Sequence, residues 1–362
     1  MKPTKFHASN LLEFLRGVDD YGGTGASHLQ TVSGSYAMLV AMTSTGNSDL
    51  DLAVSVAREA GALLRTEFHR PGGPRGHGGH AEIDRPTEEL IRRRLLEARP
   101  DDAFLGEETG SADAATAPFT PASSAGTSTP ATSAPPAGTS TLATPPTTTD
   151  PAAPRRWIVD PNDGTSEFLK GARGPSVSIA LLIADRPALG VVYAYAAPDD
   201  RGDLICGGAQ IGLWRGRGSE DELTGSAEPA PCSPSAAPGR VAVSSGAFRT
   251  DAVRAANAEL CAPWQPVPVP GIAYRLALTA VGEVRVATTL TAPWSWDMAG
   301  GHALLLAGGG DLFTRDGTPV RYDSSGHCTY APAYFGGSSA DVERIRRRNW
   351  ESLFVERPGR VR

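Results

Sequence analysis

Residues 157–168 read Trp157-Ile158-Val159-Asp160-Pro161-Asn162-Asp163-Gly164-Thr165-Ser166-Glu167-Phe168. The three leading apolar residues make a short strand. Proline and then Asp-Gly force a sharp turn directly after it. Two carboxylates three residues apart therefore stand at the end of a strand, where both can point at one spot. Like charges so placed are unfavourable unless a cation neutralises them. An all-oxygen donor set suits Mg²⁺ or Mn²⁺ rather than zinc. Beyond the turn, residues 166–169 can begin a helical turn whose free N–H groups bind phosphate oxygens. Metal carboxylates beside an anion-binding turn are the parts that metal-assisted phosphate hydrolysis needs. An isolated Asp-Gly pair is also ordinary turn chemistry, so the reading depends on what else the chain holds.

Two more acidic segments stand out. Gly106-Glu107-Glu108-Thr109 follows the apolar pair Phe104-Leu105, and Trp296-Asp297 opens a small-residue helix expected over 298–307. Gly300 and Gly301 in that helix allow close packing. Upstream, Asp84 precedes a helix expected from about Thr87 to Pro100. On the residues alone it is either a site carboxylate or the helix N-cap.

The chain has 362 residues, a formal net charge of −6 and 40% hydrophobic residues. That is enough apolar material for a real core. The charge excludes a polybasic nucleic-acid binder. No apolar run is long enough to span a membrane, and the first residues show no secretory h-region. Four scattered cysteines, Cys206, Cys232, Cys261 and Cys328, form no CxxC pair. A disulfide framework or zinc ribbon is not expected, and a cytoplasmic setting fits.

Residues 1–46 read as a poorly ordered N-terminal extension. Leu50, Ala53, Val54, Ala57, Ala60, Leu63 and Leu64 recur at helical spacing, with Ser48 or Asp49 as the cap. Residues 71–80 read as a Gly-rich loop. Residues 111–154 are nearly all Ala, Thr, Ser and Pro, the composition of a disordered insertion. Strands are expected at 157–159, 176–184, 189–194, 241–243 and 283–287, helices at 251–260 and 274–281, a polar loop at 219–238 and a tail at 336–362. Mixed strands and helices indicate an α/β or α+β enzyme-like fold.

Taken together, GEETG at 106–110, WIVDPNDGTSEF at 157–168 and WSWDMAGGHALLLAGGG at 294–310 resemble the inositol monophosphatase family, whose motifs run in this order. The resemblance covers roughly residues 49–335 apart from the insertion. It implies a layered αβαβα sandwich, and within 47–335 an α+β half to about 195 and an α/β half after it. It also implies Mg²⁺-dependent hydrolysis of a small phosphomonoester by direct attack of water, using two or three ions, with Mn²⁺ as a substitute. Carried over residue by residue, Glu107 is a ligand of the first metal and Asp160 bridges two. Asp163 and Asp297 complete the second. Asn162 stands where the family offers only a backbone carbonyl to the metal, which leaves its side chain free to vary. Gly164, Thr165 and Ser166 hold the phosphate, and the Thr165 hydroxyl orients the attacking water. Asp84 pairs with that threonine, although the threonine that usually precedes the aspartate is absent here. The family also implies a homodimer.

The ester is less legible. Ser166-Glu167-Phe168-Leu169-Lys170 is more like the bisphosphate nucleotidase branch than the inositol branch. Leu290 stands where the inositol branch has a sugar-binding glutamate. Arg275 either holds a second phosphate or is a surface arginine on a helix. A specialised phosphatase of a sugar or nucleoside monophosphate intermediate is an alternative, as is a silent relative that only binds phosphorylated ligands or a partner. Asp49-Leu50-Asp51 is read as capping rather than as a phosphatase nucleophile. His77 and His80 are read as loop residues, and His302 as a core or interface residue.

Overall fold

The computed structural model describes residues 47–112, 153–217, 224–226 and 239–353. The extension at 1–46 and nearly all of the Ala/Thr/Pro/Ser segment lie outside the described residues.

Helix α1 (Ser48–Phe68) buries Leu50, Ala53, Val54, Ala57, Ala60 and Leu64 of the expected face, but Leu63 points outward and is 41% exposed. Its cap is Asn47, one residue earlier than expected. The Asn47 carboxamide accepts the N–H groups of Asp49 and Leu50, both at 3.0 Å. Asp49 instead pairs with Arg99 and Arg155, at 2.6 and 2.9 Å. Those ion pairs account for the first aspartate of the Asp-Leu-Asp motif. Residues 76–81 form a small hairpin, β1 (Gly76–His77) with β2 (His80–Ala81), where a loop was expected. Helix α2 spans Asp84–Ala98, starting three residues before the expected Thr87.

Strands β3 (Ala103–Gly106), β4 (Gly110–Ala112), β5 (Arg155–Asp163), β6 (Ser176–Ile183), β7 (Arg186–Ala194), β8 (Asp203–Gly208), β9 (Gly212–Arg217) and β10 (Thr224–Ser226) form one sheet. Its order is β10-β9-β8-β7-β6-β5-β3-β4. The expected polar loop at 219–238 thus contributes an edge strand. Only β3 and β5 run parallel in this sheet. Along β5, Trp157 and Val159 enter one core while Ile158 enters the other. A strand covered on both faces reads as a continuous apolar run.

A second sheet has the order β12-β11-β13-β15-β14, from β11 (Arg240–Val243), β12 (Gln265–Pro268), β13 (Val286–Thr289), β14 (Asp311–Thr314) and β15 (Tyr334–Gly337). Four helices accompany it: α4 (Asp251–Cys261), α5 (Ile272–Ala280), α6 (Ser295–Ala307) and α7 (Ser339–Arg346). Helices α1 and α2 cover one face of the large sheet, and α5 and α6 fill the space between the sheets. Helices α4 and α7 cover the outer face of the small sheet. The result is the five-layer αβαβα sandwich.

The two central helices approach closely because α6 carries Gly301, while Gly300 lets α6 sit against β6, where a Cβ would lie 2.6 Å from Ser178 Oγ. A Cβ on Gly301 would lie 2.5 Å from the Leu276 side chain. Residues 336–353 do not form the expected tail. β15 pairs with both β13 and β14, Val342 and Ile345 are buried, and the fully buried Trp350 meets Phe335 edge to face at 5.5 Å. The sheet needs this segment to close its apolar face. Among the described residues no helix is long and apolar enough to cross a membrane.

Candidate active site

Strand β5 stays paired with β6 through Asp160, opposite Ser178, and is paired again at Asp163, opposite Ser176. Two residues of β5, Pro161 and Asn162, stand against the single Val177 of β6 and form a bulge. A bulge bends a strand and re-aims its side chains. Here it leaves Asp160 and Asp163 on the same spot. Asp297, in the first turn of α6, comes to the same place from the other end of the chain. Oxygens of Asp160, Asp163 and Asp297 lie within 4.8 Å of one another. Glu107 follows β3, and its N–H donates to the Val159 carbonyl at 3.3 Å, which sets it beside Asp160. The Glu107 and Asp297 carboxyls both lie close enough to Asp160 for their charges to act on it.

The electrostatics follow from this crowding. Burial first, then Glu107, Asp163 and Asp297, hold the Asp160 carboxyl well above the usual carboxylate range. Burial and the Asp297 charge push Asp163 up to about 8, against the Ala273 N–H and Arg275. Burial, Asp297 and Glu108 push Glu107 up to about 8. Burial raises Asp297 to about 6, opposed by the Trp294 N–H. A site that resists ionising in this way, built only of carboxylate oxygens, fits a small hard dication.

Three such segments meeting in one place, at 106–109, 157–168 and 294–297, narrow the possibilities to one family. The sequence model of the inositol monophosphatase family matches residues 47–346. The chain belongs to the inositol monophosphatase family. Inositol monophosphatase 1 of Solanum lycopersicum is 32% identical over 148 residues, which are 40% of this chain and 42% of that protein. The 3'(2'),5'-bisphosphate nucleotidase CysQ of Buchnera aphidicola is 27% identical over 183 residues, 51% of this chain and 64% of the other. The chain thus spans less than half the length of the tomato enzyme it matches. The crystal structure of the extragenic suppressor protein suhB from Bartonella henselae superposes with a TM-score of 0.57 at 19% identity, over 84% of this chain and all of that one. That likeness bears on the fold.

Within this inositol monophosphatase fold, Asp84 is no N-cap. It is 2% exposed and sits in the first turn of α2. Its Oδ2 accepts the Thr165 hydroxyl at 3.1 Å and the Ala81 N–H at 3.4 Å. Burial raises its pKa, and hydrogen bonds from Asn162, Thr165 and Ala81 oppose the rise. Gly164, with φ of 101°, precedes the four-residue helix α3 (Thr165–Phe168), and Ser166 is exposed on it.

Two expectations need correcting. The Asn162 side chain is not a free one. It is fully buried and bonded at both ends, to Asp84 and Tyr195. Arg275 is not a surface arginine and not an open phosphate anchor. It is 5% exposed, and its Nε and Nη1 donate to the carbonyls of Gly271 and Thr288 at 3.0 and 2.9 Å. Burial lowers its pKa to about 10, and the nearby Asp163, Glu167 and Asp297 oppose that fall. Its charge lies behind the carboxylates.

Sequence reasoning missed Glu88. Fully buried, it accepts the N–H groups of Glu108 and Thr109, both at 2.8 Å, and the Thr109 hydroxyl at 2.7 Å. It therefore holds the loop that presents Glu107. Its spacing of four from Asp84, on one helix face, was the available signal. His302 is a core residue, bonded to Asp311 at 2.8 Å. Leu290 packs against the outer core.

Proposed function

We propose that the chain is a Mg²⁺-dependent phosphomonoesterase acting on a small phosphorylated metabolite. The observation that supports it is the convergence of Asp160, Asp163 and Asp297, with Glu107 beside Asp160. These four carboxylates are the proposed ligands of two or three ions, Mg²⁺ first and Mn²⁺ as a substitute. Bound there, the ions supply charge neutralisation and Lewis acidity toward the ester. The N–H groups of Gly164, Thr165 and Ser166 receive the phosphate oxygens. Water attacks in line as the P–O bond to the alcohol breaks. The water's proton passes through the Thr165 hydroxyl to Asp84, 3.1 Å away. The alcohol takes its proton from solvent.

Nucleotide-like esters are favoured over inositol phosphate. The Ser166–Lys170 run and Leu290 support this. So does Trp294, 61% exposed, stacked on Trp296 at 5.2 Å, with its N–H on Asp297 at 2.6 Å. An exposed aromatic face receives flat heterocycles. A biosynthetic sugar or nucleoside monophosphate is the alternative substrate. The resemblance also implies a homodimer, which sedimentation tests.

The deciding experiment measures phosphate release with and without Mg²⁺. The panel is 3'-phosphoadenosine 5'-phosphate, inositol-1-phosphate, histidinol phosphate, fructose-1,6-bisphosphate and nucleoside monophosphates. Release that needs Mg²⁺ and is fastest with the esters that carry a nucleobase is expected. No release from any of them favours a silent, ligand-binding relative.

A further inference from the structure

Asn162 sits in the bulge between two of the carboxylates, and each of its polar ends is engaged. Its N–H donates to Asp160 Oδ1 at 2.8 Å, and its carbonyl accepts the Thr165 hydroxyl at 3.1 Å. Its side-chain Nδ2 donates to Asp84 Oδ1 at 2.9 Å, and its Oδ1 accepts the Tyr195 hydroxyl at 2.7 Å. Asn162 and Tyr195 are fully buried. One residue thus ties together Asp160, Thr165, Asp84 and a phenol that lies beyond the turn.

We propose that Asn162, held by Tyr195, is a positioning residue that fixes the plane of the Asp84 carboxylate so that Oδ2 faces the Thr165 hydroxyl. This rests on the phosphomonoesterase reading above. The terminal torsion of an aspartate is broad and nearly two-fold. The Thr165 hydroxyl and the Ala81 N–H both meet Oδ2 and so leave Oδ1 free to swing. A donor on Oδ1 removes that freedom. An ionised carboxylate only accepts, so the amide nitrogen must face Asp84, and the amide oxygen is left for a donor. Tyr195 supplies that donor and blocks the flipped amide. Burial holds its phenol far above the ordinary range, so the hydroxyl keeps its proton. A leucine of similar size neither donates nor accepts.

The test uses the full chain and three forms: wild type, Asn162→Leu, and Asn162→Leu with Tyr195→Phe. The single variant strands a buried phenol hydroxyl and lowers Tm. The double variant removes that orphan but still leaves Asp84 Oδ1 without its donor, so Tm recovers only in part. Turnover behaves differently. In both variants kcat falls about 10–100-fold, the usual cost of losing a partner that orients a site group, while KM for the ester holds. Crystals of the metal-free double variant show Asp84 turned away from Thr165. A double variant that regains wild-type kcat along with part of its Tm overturns the proposal, because the role is then structural. So does an Asp84–Thr165 bond kept at its wild-type length. If wild type releases no phosphate from any ester, the phosphomonoesterase reading falls and this proposal falls with it. If wild type is active, the variants decide the clamp alone. The double variant carries the test should Asn162→Leu not fold.

Discussion

The Ala273 N–H donates to Asp163 Oδ2 at 2.6 Å, joining residues 110 apart in the chain. It ties the first turn of α5 to the turn after β5, and so couples the two halves of the sandwich at the carboxylate cluster. Gly271 makes the approach possible. Its φ is 68°, and a Cβ there would lie 2.6 Å from the same Asp163 oxygen.

Gly271→Ala is expected to strain this junction. A non-glycine residue in that conformation costs about 1–3 kcal/mol, and the new methyl group also displaces Asp163. Urea denaturation reads the first effect. A Mg²⁺ titration reads the second, expected as about a 10–100-fold weaker affinity. Unchanged Mg²⁺ binding would show that Asp163 is not a ligand.

Asp160→Asn is expected to abolish Mg²⁺-dependent turnover and leave the fold intact. The new side chain keeps an acceptor for the Asn162 N–H and removes one buried like charge. At pH 8 the metal-free variant should therefore melt at or above the wild-type temperature. Retained turnover contradicts the assignment of Asp160.

Stability of the metal-free chain should fall as pH rises. In the unfolded chain these carboxyls titrate near about 4. In the folded chain Asp297 sits at about 6, and Glu107 and Asp163 at about 8. Between those values the folded state binds more protons, so raising the pH favours unfolding. Saturating Mg²⁺ should remove this slope, and its stabilising effect should grow over the same window. Thermal melts in EDTA and in Mg²⁺ across that range test it. A metal-free chain that gains stability from pH 5 to 8 would refute the crowded-carboxylate picture.

Trp350→Ala should cost about 3–5 kcal/mol in urea denaturation. The ring is fully buried and its indole N–H donates to the Ile345 carbonyl at 2.8 Å. A change within experimental error would mean the segment after 335 is dispensable.

Much of the site could be read in advance because its parts are local. Asp160 and Asp163 are bound to one turn, and Pro161 and Gly164 announce that turn. The periodicity of α1 and the unbroken apolar run in β5 needed no partner to be recognised. Asn162 and Arg275 were misjudged for the same reason in reverse. Whether an amide or a guanidinium is free depends on which distant groups meet it, and Tyr195 and the Thr288 carbonyl are remote in the chain. Glu88 was overlooked because its spacing of four from Asp84 is a weak signal on a helix rich in charge, and the backbone it holds at 108–109 is remote in the chain. The last strand went unnoticed because Tyr334–Gly337 is short and glycine-rich, and only its two neighbours make it a strand.

The order of residues alone determined the family, the turn that pairs two carboxylates and the chemistry such oxygens suit, since these rest on spacing within a few residues. Folding decided the rest: that Glu107 and Asp297 reach that turn, that Asn162 faces inward to Asp84, and that Arg275 lies behind the cluster. Those outcomes depend on the sheet's pairing and on the burial it imposes. Both are sums over many distant contacts that no single stretch of the chain contains.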